Sequence, residues 1–189
     1  MHRRLYSMGG VYVAACAALL LFNPRPLAAP PHLTPVEPVG SPGQWFARIR
    51  PFCNPVEVEV RLRQDPAPAG FDGTAFSAAC YALAGKVDRA RMLINTLPET
   101  ERSQAAGVVF EVAHPVADAG DDKAAGPIME MVVEFWPNHY MALYHAGMSE
   151  YALGQPDLAR KNLREFLRYY NANDGWRQNA VDVLGRLGP

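Results

Sequence analysis

Basic charge is not in surplus in this sequence, where 18 Lys and Arg stand against 19 Asp and Glu for a formal charge of -1. A nucleic-acid or anionic-membrane binder would usually show an excess, so neither partner is expected. Long apolar runs are missing as well. The run from Val11 to Phe22 has twelve residues, short of the about 20 that a spanning helix needs. Catalytic signatures are absent: there is no phosphate-binding glycine loop, no GxSxG elbow, no dinucleotide fingerprint, no HExxH and no paired CxxC. A non-catalytic protein without cofactor or metal is the expectation. Cysteine is scarce, with Cys16, Cys53 and Cys80 the three in the chain. What remains is 49% hydrophobic and 20% charged, a balance that can bury a core.

The first 29 residues read as a targeting segment. Arg3 and Arg4 precede the apolar run, and Ala28 and Ala29 follow it, the order of a secretory signal. Leu27 is large for its place before the cut and Pro30 would directly follow it, which leaves an uncleaved N-terminal anchor open. Val13-Ala14-Ala15-Cys16 also looks like a lipoprotein signal, although the apolar run continues past the cysteine. A secreted or periplasmic chain is expected, meeting membrane only through this segment. Residues 30–43 then form a proline-rich linker, with Pro30, Pro31, Pro35, Pro38 and Pro42 favouring an extended tether.

Ser41 and Pro42 suit a helix cap and first turn, with Trp45, Ile49 and Phe52 at helical spacing up to the stop at Pro51. The stretch VEVEVRLR is ambiguous. Its strict alternation suits a half-buried strand, yet a lone strand has no visible partner, and Val56 and Val60 fall where a second helix would place packing residues. Helix is favoured there.

The run from Tyr140 to Tyr170 is organised as a helical hairpin. Ala159, Leu163, Phe166 and Tyr170 recur at i, i+4, i+7 and i+11, one stripe of a helix. Ala146 and Gly147 let a partner helix approach closely. Gly154 suits a C-terminal glycine, and Pro156 and Asp157 suit the start of the second helix. The pattern occurs twice upstream. Gly85, Gly120 and Gly154 are 35 and 34 residues apart, and Ala90, Ala125 and Ala159 keep the same spacing. After the last hairpin, Asp174 can cap a segment that aligns Trp176, Ala180, Val183 and Leu187.

From about Gly70 to Tyr170 the chain therefore resembles the tetratricopeptide repeat (TPR) family, whose period is near 34 residues. The family's small residues match Ala78, Ala113 and Gly147 in the first helices and Ala90, Ala125 and Ala159 in the second. Its terminal proline appears only as Pro137. Its aromatic near the start of each first helix is replaced by Thr74, Val109 and Leu143. The resemblance implies an all-α domain over residues 44–189, a right-handed superhelix of hairpins with a degenerate leading unit and a C-terminal capping helix. In that arrangement antiparallel neighbours bring Cys53 and Cys80 together, and an oxidising compartment would join them as a disulfide; two small buried residues is the other reading.

The resemblance also implies a peptide-binding groove lined by first-helix residues, here Phe110, Glu111 and His114 in the second unit and Met141, Tyr144, His145, Met148 and Tyr151 in the third. Aromatics and methionines at helical spacing equally describe core. Glu111 and His114, three apart on one face, and His139 and His145 raise the question of metal, but no ligand signature accompanies them. Pro115 and Gly126-Pro127 should kink the middle unit or delay its second helix to Pro127. The family implies a scaffold that binds a protein or peptide, and the targeting segment places it in the cell envelope. The alternative is a small-molecule or metal-binding helical domain, enzymatic or not, centred on His114 and His145.

Overall fold

The computed structural model describes residues 40–188, so the targeting segment, Cys16 and most of the proline-rich linker lie outside the described residues. Within that span the regular elements are helical: α1 (Pro42–Ile49), a 3-10 turn (Arg50–Phe52), α2 (Val58–Gln64), α3 (Phe71–Leu83), α4 (Val87–Thr96), α5 (Glu99–Asp118), α6 (Asp122–Phe135), α7 (Tyr140–Ala152), α8 (Pro156–Tyr169) and α9 (Gly175–Leu187). Helices α3 and α4, α5 and α6, and α7 and α8 pack as the three hairpins expected from the glycine spacing, and α3 on α5 and α6 on α7 pack as extensively between them. Each hairpin stacks on the next.

One turn geometry is used three times. Gly85, Gly120 and Gly154 adopt φ of 70°, 78° and 74°, a left-handed conformation that costs glycine little. At each joint the residue after the glycine donates its N–H back across the turn, from Lys86 to Tyr81, Asp121 to Val116 and Gln155 to Glu150. This bond satisfies a carbonyl that the helix end would otherwise orphan. The matching alanines are buried, Ala90 and Ala159 completely and Ala125 almost so. Close approach explains their size. A Cβ on Gly147 would lie 2.7 Å from the Leu163 side chain, and one on Gly126 would lie 2.1 Å from the Ser149 hydroxyl.

The leading unit begins with a reciprocal cap: Gln44 donates its N–H to the Ser41 hydroxyl, and the Ser41 N–H donates to the Gln44 side chain. Trp45 is fully buried and donates its indole N–H to the Asp65 carbonyl at 3.0 Å. VEVEVRLR is helical from Val58, but its packing residues differ from those expected. Val58 is fully buried and Leu62 packs on the core, whereas Val56 is 84% exposed and Val60 46% exposed. A four-residue step places Val58 and Leu62 on one face of α2, whereas Val56 lies in the turn before the helix and Val60 falls off that stripe, so both meet water. Asn54 organises the approach, accepting from the N–H groups of Val56 and Glu57. Cys53 and Cys80 are joined as a disulfide, with Cα atoms 4.8 Å apart.

The prolines of the middle unit do not interrupt it. Helix α5 runs through Pro115 to Asp118, and α6 starts at Asp122 rather than at Pro127. Pro115 falls in the last turn of α5, where the helix is about to end. Pro127 falls early in α6, which is already anchored by the Asp121 carboxylate accepting from the Ala124 N–H. Each proline therefore forfeits one hydrogen bond near an end, where the cost is smallest.

Candidate functional site

The second unit presents an open apolar cleft. Phe76 of α3, Gly107, Val108 and Val112 of α5, and Trp136 beyond α6 enclose about 560 Å³, with Ser103, Gln104, Glu111 and His139 at the edge. Gly107 makes room for Trp136: a Cβ there would come within 3.2 Å of the indole. The indole remains 37% exposed. His139 caps α7, its Nδ1 accepting from the Ala142 N–H at 3.2 Å, and its ring packs 4.1 Å from Phe110 and 4.6 Å from Trp136. Burial pulls the His139 imidazole below its ordinary pKa, so the neutral ring that accepts this bond is the favoured form.

Of the groove residues expected from the sequence, Glu111 alone lines that cleft. Phe110 and Met141 line a smaller neighbouring depression of about 250 Å³, together with Trp136, His139 and Tyr140. The third unit's row is not open as expected. Tyr144 and His145 are buried, and Met148 and Tyr151 are half-buried in a cluster that includes Leu184 and Leu187 of α9. Helix α9 covers them because Trp176 sets its ring edge-on to Tyr144 at 4.9 Å and Asn179 donates to the Tyr144 hydroxyl at 2.7 Å. The same Asn179 amide lies 3.9 Å from the Met148 sulfur. A row of aromatics and methionines here works as core.

Between the second and third units lies a polar cluster. His114 and Asp118, four apart at the end of α5, meet His145 of α7, and the three ligand atoms lie within 4.8 Å of one another. The Asp118 carboxylate stands 3.3 Å from His114 Nε2 and 3.5 Å from His145 Nε2. Both Nε2 atoms are buried without a hydrogen-bond partner. Burial and the neighbouring His114 push His145 down to about 4. The rings of His114 and His145 meet edge-to-face at 4.9 Å, and His114 stacks on Phe110 at 4.6 Å. Glu111 and His139, weighed with these histidines in the sequence, do not join the cluster.

A second buried ionisable group sits in the third hairpin. Glu150 is 2% exposed and accepts from the Asn162 amide at 2.8 and 2.9 Å. Burial pushes its carboxyl up to about 7 against the partial opposition of that amide.

Several of these residues had weak sequence signals. Asp118 was legible as an i+4 partner of His114. Trp136 was marked only by its place beside the terminal proline of the repeat. Phe76 and Asn179 had no signal, since each acts across a contact between different units.

Comparison with known families places a Tetratricopeptide repeat over residues 141–170. No curated protein and no solved structure matches the chain. With three glycine-jointed hairpins stacked in sequence, the match identifies a TPR-like helical repeat.

Proposed function

We propose that this protein is an exported, non-catalytic scaffold whose TPR-like stack holds a peptide segment of a protein partner in the cell envelope. TPR repeats generally mediate protein–protein interaction. The observation that carries the reading is the cleft between α3, α5 and Trp136, about 560 Å³ with an apolar floor and a polar edge. An exposed indole beside a glycine-made recess is the kind of feature on which binding energy concentrates. The lining fits a peptide that inserts one apolar side chain against Val108 and Trp136 and sets a basic residue near the exposed Glu111.

Export rests on the order of the first 29 residues, a basic start, an apolar run and small residues. The Cys53–Cys80 disulfide supports it, since such bonds persist in oxidising compartments. The hairpins continue as a right-handed superhelix, and α9 serves as its capping helix by covering Tyr144 and Leu163 of the last unit.

The test selects peptides from a displayed library against the disulfide-bonded protein. Enriched peptides should share an apolar anchor flanked by Lys or Arg, and Gly107→Leu, which fills the recess, should weaken them about tenfold or more in calorimetric titration. Equal binding to the two proteins, or no enrichment, would sink the cleft as the docking site. Sequencing the amino terminus of protein recovered from cells tests export, with a start near Pro30 expected.

A further inference from the structure

We infer that His114, Asp118 and His145 form a binding site for a zinc-class divalent ion, which clamps the second repeat unit to the third. This inference stands apart from the peptide cleft and survives its failure.

The spacing of the donor atoms is the first support. Atoms that each lie about 2.0–2.1 Å from one tetrahedral ion are about 3.3 Å from one another. The Asp118 oxygen is 3.3 Å from one Nε2 and 3.5 Å from the other, and the whole set lies within 4.8 Å. Small side-chain rotations would bring all three onto one ion. Two ligands come from a single helix face at i and i+4, and the third comes from a different helix.

Second, the donors lack other work. His145 is 6% exposed, and its Nε2 stands 3.5 Å from the Asp118 carboxylate without a hydrogen bond to it or to any other group. His114 Nε2 is in the same position. Buried imidazole nitrogens are ordinarily satisfied, and a shared metal ion would satisfy both at once.

The neighbours hold the rings in place. His114 is stacked on Phe110, and His145 is bounded by Tyr144 at 5.3 Å and Trp176 at 5.7 Å. Asp118 is 44% exposed, so an ion can reach the site and a water can take the remaining position. Two imidazoles with one carboxylate suit zinc and its nitrogen-seeking neighbours, whereas calcium and magnesium prefer oxygen-rich cages.

The location gives the ion a structural task. Helices α3 and α5 pack closely, but α5 and α7 approach one another less closely, α7 resting chiefly on α6 and α8. Imidazoles and a carboxylate bridge that wider gap, so a bound ion would fix the angle between the second and third units.

The experiment uses the tag-free, disulfide-bonded chain stripped of metal with a chelator, then titrated with Co2+ and back-titrated with Zn2+. One Co2+ per chain should bind, with the visible ligand-field bands of a four-coordinate ion, and Zn2+ should abolish those bands and raise the melting temperature. Asp118→Asn and His114→Asn should each weaken binding by at least about tenfold. His139→Asn, which keeps a capping side chain on α7, should leave it unchanged. Absence of bands at millimolar Co2+, wild-type affinity in both cluster variants, or an equal loss in His139→Asn would each overturn the site. Circular dichroism of the metal-free variants guards against misfolding; should Asp118→Asn fail to fold, His114→Asn carries the test.

Discussion

The front of the stack, α1 to α4, sets a run of buried alanines beside Trp45 and is tied by a cystine, whereas the back, α7 to α9, links several aromatic rings and keeps ionisable groups out of water. In the front, Ala75, Ala78, Ala79, Ala82 and Ala90 are all fully buried, and Cys53 is bonded to Cys80. In the back, Tyr144, Phe166 and Tyr170 form a chain of ring contacts, while His145 and Glu150 are buried. Alanines let helices approach closely but bury little area each, so the alanine-rich α3–α4 hairpin gains from a covalent tie to the leading unit that restricts the unfolded chain. The back obtains its area from large side chains and needs no such tie. The front should therefore answer to reductant and the back to pH.

The largest effect should come from deleting bulk in the back. Phe166 is fully buried, and Phe166→Ala should cost about 3–5 kcal/mol in denaturant unfolding. Hydrogen exchange should show protection lost mainly in α7–α9; uniform loss through α1–α4 would mean that the two regions unfold as one unit and would break the contrast. Reduction of the disulfide comes next. It closes a separation of 27 residues, and its loss should cost about 3 kcal/mol, with exchange rising in α1–α3 and the back unchanged.

Glu150 supplies one of two opposed pH responses. His145, pushed down to about 4, adds stability as pH rises toward 6.5, so the Glu150 part is read as the difference between the wild-type chain and Glu150→Gln. The folded Glu150 pKa of about 7 lies above the ordinary 4.5, so between those values the folded chain holds a proton that the unfolded chain has released. Its contribution is complete below about pH 4.5, declines as pH rises, and is gone above about pH 7. Glu150→Gln should remove that decline, a difference on the order of 1–3 kcal/mol between the ends of the window. Parallel stability-against-pH curves for the two proteins would refute the assignment. The smallest effect sharpens the role of α9: Tyr144→Phe removes the hydroxyl that accepts from Asn179 and should cost about 1 kcal/mol by thermal unfolding.

Much of this architecture was legible because its marks are local. A glycine in the left-handed region can be read from its place after an apolar stripe, and Gly85, Gly120 and Gly154 all hold that conformation. Other features were misread for reasons of register and position. Val56 and Val60 look like packing residues when counted from the repeat period, but α2 begins only at Val58, which leaves Val56 in the preceding turn and gives the core Val58 and Leu62. Pro115 and Pro127 look like breaks, yet each lies close enough to a helix end for the rest of the helix to persist. Of the candidate groove, only Glu111 lines the open cleft, because whether a first-helix residue is open or covered depends on what stacks above it.

The sequence by itself determined the helices, the joints between them and the small residues that let them pair, since these follow from interactions within a few residues along the chain. The tertiary structure decided which face remained open, which histidines met Asp118 and which aromatics became core. Those outcomes depend on how far one unit is turned relative to the next and on where α9 comes to rest, both set by side chains far apart in sequence that touch only once the stack is built.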